Sequence, residues 1–361
     1  MSKYHSELFK EINRLASQKI LLTPIGLFRK AISKRLRAIH LFQVAMNKAS
    51  HLFVRLSKRY ITLYKPTVLI IDSNNYFVNK VDDFQFTFDS LLEESSRGKF
   101  ITYIAYNYIK SYGSRLPFDY DYFNGEVAKL ELIANKVVDG FIAENSFSKT
   151  IYIPFEPLGH VINYKLEQYA FEDWLRVEKG DVVLDCGGAN GDTALYFAAN
   201  GAEKVYSFEF LKSNIKKFIT VLDKNSQCKG QVSIVEKALW DRSGIKLSFE
   251  DNGNASTVSE AKITEDNFVE TISIDDFLLQ QISRVDFIKM DIEGAELSAL
   301  KGAKESIIKY KPKLAICVYH KDCDLVEIPK FILSLGCGYK LNFDYYTDTG
   351  AEAVLYAKVV D

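Results

Sequence analysis

Twelve residues, Asp181-Val-Val-Leu-Asp-Cys-Gly-Gly-Ala-Asn-Gly-Asp192, constrain this chain more than any other stretch. Val182 to Leu184 is a short apolar run, closed by Asp185 and then by Gly187, Gly188 and Gly191. The pattern predicts a buried parallel strand that turns tightly into a helix starting near Asp192. A glycine turn at the carboxyl end of such a strand lets backbone N–H groups approach a ligand, because no Cβ stands in the way. The ligand expected there is a nucleoside.

From residue 181 onward strand and helix patterns alternate, which predicts an α/β domain with a parallel sheet covered on both faces. The expected strands are 182–184, 205–208, 232–235, 285–290 and 314–318, followed by a hairpin of 339–345 and 353–359. The polar stretch 251–257 reads as a loop or a small hairpin insertion. Three acids fall at strand ends: Asp185, Glu209 and Asp291. Open parallel sheets bind ligands beyond the carboxyl ends of their strands, where strand order reverses. Glu209 lies 18 residues past Gly191, the place of an acid that takes both ribose hydroxyls. Each acid alone could be a solvated loop residue; the three together point to a nucleoside site.

The turn also bears on which nucleoside. A dinucleotide asks for GxGxxG, so that its pyrophosphate can rest on the helix N-terminus. This turn lacks that spacing and carries carboxylates on both sides, Asp185 and Asp192. They repel a pyrophosphate and suit a sulfonium and an ammonium group. S-adenosylmethionine is therefore favoured over NAD.

At this point residues 160–358 resemble the FkbM-type class I methyltransferases. The likeness rests on Gln168-Tyr169, Gly180 to Gly188, Gly191-Asp192, Val205-Tyr-Ser-Phe-Glu209 and Lys237-Ala-Leu-Trp-Asp241. Its most specific part is Phe287-Ile-Lys-Met-Asp-Ile-Glu-Gly-Ala-Glu296, with Leu300-Lys-Gly-Ala303 and Tyr319-His-Lys321 downstream. Two places depart from the family pattern: Phe210 replaces a proline after Glu209, and Ala189 stands where the turn has an asparagine. The resemblance implies a Rossmann-like class I methyltransferase fold, a seven-stranded, mostly parallel sheet with an antiparallel last strand. It also implies methyl transfer from S-adenosylmethionine, usually to a hydroxyl oxygen of a sugar in a glycan or glycolipid, or of a secondary metabolite.

Residue roles follow. Gly187, Gly188 and Gly191 are expected to admit the methionine portion beside Asp185, Glu209 to bind the ribose, and Ala238 and Leu239 to hold the adenine. The resemblance adds Gln168 and Phe210 to the cofactor set. Asp291 stands near the sulfonium, as a cofactor contact and acceptor-orienting group. His320 is the candidate general base; the plainer alternative is a structural histidine. Glu293 and Glu296 open a helix, where acids are favoured by the dipole alone. Asp291, Glu293 and His320 could hold a divalent cation, yet no metal ligand is assigned.

The net charge of −1 conceals an asymmetry: residues 1–65 carry fourteen Lys/Arg against two Glu, leaving −13 for the rest. In 25–60, Ile25, Phe28, Ile32, Leu36, Ile39, Phe42 and Met46 recur at helical steps with Arg and Lys between them. The bland reading is a helix packed on its own protein. An anionic membrane surface is the next partner to weigh, and nucleic acid the last. Three regions are thus expected: a basic, amphipathic helical N-terminal extension over 1–65, an aromatic-rich mixed region over 66–159 and the methyltransferase domain over 160–361. The second includes strands at 68–71 and 151–153 and a helix over 97–112.

No apolar run approaches the ~18 residues of a membrane span, and the N-terminus lacks a signal-peptide core. Five cysteines without CxxC spacing read as free thiols. A cytoplasmic location is expected, peripheral on the inner membrane face if the arm binds lipid. Rival readings are a nucleic-acid methyltransferase, a NAD-dependent oxidoreductase and a non-catalytic interaction module that keeps the fold. The chain has no Pro-Pro or Pro-Cys pair, which removes the usual base-amine and cytosine-carbon motifs.

Overall fold

The structure, a computed structural model, describes residues 2–17, 76–109, 115–134, 141–144, 150–153, 157–249, 258–259 and 268–360. The basic stretch 25–60, the expected strand 68–71 and the polar segment 251–257 lie outside the described residues. The chain divides into two compact units, one of Met1–Asn79 with Ile101–Arg115, the other of Lys80–Phe100 with Leu116–Asp361.

In the first unit the helix Lys3–Ser17 buries Tyr4, Leu8 and Leu15, which recur at helical spacing. Glu11 accepts a hydrogen bond from Thr102 Oγ1 at 2.8 Å and pairs with Arg14.

The larger unit holds thirteen described strands. In chain order they are Phe141–Glu144 (β1), Thr150–Ile153 (β2), Val182–Cys186 (β3), Lys204–Phe208 (β4), Val232–Val235 (β5), Ala238–Leu239 (β6), Lys246–Phe249 (β7), Val258–Ser259 (β8), Phe268–Ile272 (β9), Phe287–Met290 (β10), Lys313–Cys317 (β11), Tyr339–Tyr345 (β12) and Ala353–Val359 (β13). Seven of them form the main sheet, in the order β5-β4-β3-β10-β11-β13-β12. Strands β3, β4, β5, β10 and β11 pair in parallel, and β13 is antiparallel to both of its neighbours. The last strand of the chain therefore runs against the parallel core, as expected. From β3 the chain moves outward to β4 and β5, then returns to β10 on the other side. Strand order reverses between β3 and β10, and a crevice opens beyond their carboxyl ends.

Burial explains the strand sequences. Strands β10 and β11 are buried at every residue, which requires the near-continuous apolar runs they carry. One face receives the helix Asp192–Ala199, where Leu195 and Phe197 are fully buried with Val183, Val205 and Phe287. Each such side chain stabilises the fold by about 1.5–3 kcal/mol. Tyr206 and Phe208 of β4 meet Phe277 of the helix Ile274–Gln281 edge to face. Ser273 caps that helix by accepting from the Asp276 N–H at 3.1 Å.

Residues 80–100 line the outer strand. Leu92 N–H donates to Leu341 O at 2.7 Å, and Ser96 Oγ donates to Phe343 O at 3.1 Å. The helix here starts at Glu94, three residues before the expected 97, and runs to Ile109. Pro329 lies inside the helix Asp324–Ser334 and has no N–H for the carbonyl of Leu325. Thr87 Oγ1 donates to that carbonyl at 2.8 Å instead, so the buried acceptor is satisfied by a neighbouring helix.

One part of the sheet structure differs from the sequence expectation. Strands β6, β9, β7 and β8 form a second, four-stranded sheet between β5 and β10. These strands are only two to five residues long, so they carry little periodic signal.

Candidate functional site

The crevice between β3 and β10 holds a cavity of about 250 Å³. Gln168, Gly187, Glu209, Phe210, Ala238, Leu239 and Asp291 of the expected set line it; Asp185, Gly188, Gly191 and His320 do not. Sheet order divides the lining. Glu209 follows β4, and Ala238 and Leu239 follow β5, on one side of the crevice. On the other side, Asp291 follows β10, Tyr319 follows β11 and Glu352 precedes β13.

On the first side, Glu209 Oε1 accepts the backbone N–H groups of Phe210 at 2.7 Å and Leu211 at 2.8 Å. Its other oxygen takes a 3.3 Å bond from Asn214 Nδ2, and the Ala189 backbone N–H also acts on the carboxylate. Burial raises the Glu209 pKa, and the N–H and amide donors restrain the rise. Gly187 has φ +91°, and a Cβ there would stand 1.9 Å from the Asp291 carbonyl oxygen. Only glycine lets the turn and the end of β10 approach so closely.

The other glycines of the turn have a different task from the expected one. A Cβ on Gly188 would meet Ser207 Oγ at 2.0 Å, and one on Gly191 would meet the Phe218 ring at 2.3 Å. They seat the turn against β4 and the helix Lys212–Lys224, and do not themselves line the cavity. Asp185 does not line the cavity either. It is fully buried, 3.2 Å from the Lys289 ammonium, and accepts from Ser207 Oγ at 2.7 Å and Thr193 Oγ1 at 3.0 Å. Lys289, 1 % exposed, also donates to Gly187 O at 2.7 Å and to Cys186 O at 3.3 Å. Burial alone would strip its proton, but Asp185 and Asp291 outweigh burial and hold Lys289 charged. The β3–β10 register sets Lys289 directly opposite Asp185.

On the second side Asp291 is fixed by two phenols, Tyr169 O–H to Oδ2 at 3.0 Å and Tyr319 O–H to Oδ1 at 3.2 Å. Glu352 accepts from Gln168 Nε2 at 2.6 Å. Burial, and then the charge of Asp291, push its pKa up to about 7. Glu352 has φ +59° and Glu293 φ +56°, conformations that cost a non-glycine residue about 1 kcal/mol or more and gather at functional sites.

His320, the expected general base, does not line the cavity. Its ring is buried off the cavity, with Glu293 Oε2 3.2 Å and Asp291 Oδ1 3.4 Å from Nε2, and Glu296 Oε1 3.0 Å from Nδ1. Burial disfavours its charge, yet Glu293 and Glu296 prevail and lift its pKa to about 11. An imidazole held protonated cannot accept a proton near neutrality.

Sequence reasoning passed over Lys289 and Glu352. A lysine within an otherwise apolar strand was a usable sign, since a buried ammonium calls for a buried counter-charge. Glu352, in a polar turn beside a strand, carried none.

Residues 185–341 match the profile of the methyltransferase FkbM domain. Among solved structures, the chain is similar to methyltransferase FkbM from Methylobacillus flagellatus KT, with TM-score 0.53 and 19 % identity over 78 % of this chain and 59 % of that one. This chain thus spans about three fifths of that protein's length. It is also similar, at TM-score 0.39 and 12 % identity over 62 % of this chain and 84 % of the other, to Aeropyrum pernix fibrillarin in complex with natively bound S-adenosyl-L-methionine. A putative methyltransferase from Streptococcus mutans in complex with SAH gives TM-score 0.34 and 14 % identity over 54 % of this chain and 97 % of that one. A search of curated proteins finds no match. The main sheet has the Rossmann-like class I methyltransferase fold.

Proposed function

We propose that the protein, whose residues 185–341 match the profile of the methyltransferase FkbM domain, moves a methyl group from S-adenosylmethionine to a hydroxyl oxygen of a glycan sugar or a secondary metabolite. The observation that carries the reading is the division of one cavity into a nucleoside side and an acid side.

The residues of the first side suit the cofactor. Glu209 lines the cavity as a carboxylate held by backbone N–H groups, and a carboxylate's remaining lone pairs suit ribose hydroxyls. Ala238 and Leu239 offer an apolar edge and backbone for adenine. Gly187 opens the turn, and Asp291 supplies a carboxylate for an ammonium or sulfonium group. When bound, S-adenosylmethionine supplies a methyl group on a sulfonium leaving group. The chain then has to align an acceptor and manage its proton. Tyr169 and Tyr319 hold Asp291 in place to orient the acceptor. Glu352, with its pKa near neutrality, takes the proton from the acceptor hydroxyl.

Calorimetric titration with S-adenosylmethionine, its demethylated product and NAD tests the cofactor. Binding of the first two is expected, and Glu209→Gln should weaken it about tenfold or more, as loss of charged hydrogen bonds implies. Binding of NAD without either sulfur compound would reject the reading. For the acceptor, mass spectrometry of surface glycans from a deletion strain should reveal missing methyl groups.

The basic arm remains part of the proposal. Residues 25–60 would bring the enzyme to an anionic membrane on the cytoplasmic side, where a lipid-linked acceptor would lie. Among the described residues no helix is long and apolar enough to cross a membrane.

A further inference from the structure

Behind Asp291 the structure gathers more buried acid than a methyl-transfer cavity needs. The His320 side chain is 7 % exposed and that of Glu296 is fully buried. Three carboxylate oxygens stand 3.0–3.4 Å from the ring nitrogens, so three acids converge on one imidazole. Both ring nitrogens and Glu296 Oε2 lack a hydrogen-bond partner. Buried polar atoms without a hydrogen-bond partner are costly, so several in one place need a reason.

Charge points the same way. Asp291, Glu293 and Glu296 surround a single imidazole. Asp324 is 1 % exposed with its Oδ2 unpartnered, and feels the charge of Glu296. Lys321, the nearby cation, gives a hydrogen bond to the Gly294 carbonyl. Even with His320 protonated the group carries excess negative charge.

Among the described residues, Asp291, Glu296 and His320 can each offer one donor atom with all three within 4.8 Å of one another. An ion with bonds of about 2.1–2.4 Å reaches donors up to about 4.2–4.8 Å apart. We propose that Asp291, Glu296 and His320 hold a divalent first-row transition-metal cation, of the Mn²⁺ or Zn²⁺ kind, at the edge of the cavity, the ion displacing the imidazole proton to solvent. The imidazole argues against Ca²⁺ and Mg²⁺, which prefer all-oxygen sites. Glu293 and Asp324 supply surrounding negative charge.

Asp291 belongs to both the cluster and the cavity lining, so the ion lies one carboxylate away from the acceptor. On the reading that the acceptor is a hydroxyl, on which this step alone rests, a bound ion would hold Asp291 in place and offset its negative charge, while Glu352 takes the hydroxyl proton.

The test is a titration of chelator-stripped, full-length protein with Mn²⁺, following the free aquo ion by electron paramagnetic resonance. One equivalent should bind and be displaced by Zn²⁺. Glu296→Gln and His320→Gln should each weaken binding at least about tenfold, and Glu209→Gln should leave it unchanged. Failure of the wild-type protein to take up either ion at about 1 mM, the scale of weak binding, overturns the proposal. So does uptake with unaltered affinity in both variants, because the ion then sits elsewhere. Circular dichroism verifies the variants' folding, and the wild-type titration decides alone if they do not fold. Cofactor binding is measured separately by calorimetry, so loss of the metal site and loss of the methyl-donor reading give different results.

Discussion

Lys289→Met removes the ammonium that joins β10 to the glycine turn while preserving length and apolar bulk. In the wild type that ammonium stands 3.2 Å from Asp185, and both residues are almost completely excluded from solvent. Removing one partner of a buried ion pair costs about 3–5 kcal/mol, because the other charge is left buried. Asp185 keeps the Ser207 and Thr193 hydroxyls at 2.7 and 3.0 Å, which argues for the lower end of that range. The Gly187 carbonyl also loses its 2.7 Å donor, adding about 1 kcal/mol. The expected loss is roughly 4 kcal/mol, a large part of the 5–15 kcal/mol typical of a folded domain. Urea unfolding followed by circular dichroism measures it. Adding Asp185→Asn to Lys289→Met removes the stranded charge and should restore about 1–2 kcal/mol, a coupling of the size seen between contacting residues. A loss below about 1 kcal/mol for Lys289→Met, the scale of a solvent-screened pair, would refute the account of a dry ion pair behind the turn.

Three further outcomes follow from the same geometry. Glu352→Gln should lower turnover by about 10²-fold or more with cofactor affinity unchanged. The wild-type rate should rise with pH through about 7, as Glu352 ionises, and the variant should lose that limb in a pH–rate profile. His160, buried and stacked on Tyr164, has its pKa lowered by burial, then by Lys165, from 6.5 to about 4. The unfolded chain therefore binds more protons between those values. The contribution of neutral His160 is complete above about 6.5 and is lost as pH falls toward 4, by up to roughly 3 kcal/mol. His160→Phe should flatten that part of the stability curve relative to wild type in urea titrations at stepped pH. Finally, the protein should sediment with vesicles containing anionic lipid and release them as salt rises. Unchanged sedimentation of a variant lacking residues 1–65 would remove the arm from that role.

Much of the site was legible because its signals are local. The strands at 339–345 and 353–359 appear with the expected limits, since an alternating run and a nearly continuous apolar run flank a polar turn. Glu209, Ala238, Leu239 and Asp291 could be located from distances along the chain, because a parallel strand delivers its last residue to one edge of the sheet. The surroundings of His320 were not legible, for the opposite reason. Its residue type suggested a base, but its protonation depends on Glu293 and Glu296, which a separate loop and helix bring against it.

By itself the sequence determined the strand-turn-helix, the alternating α/β pattern and the acids at the strand ends, all consequences of short-range periodicity and backbone stereochemistry. Tertiary structure alone decided that Asp185 turns inward to Lys289, that Gly188 and Gly191 serve packing, and that Glu352 joins Asp291 in one cavity. Those outcomes rest on register and burial between segments far apart in the chain. The charge and accessibility of a side chain follow from what the fold sets against it.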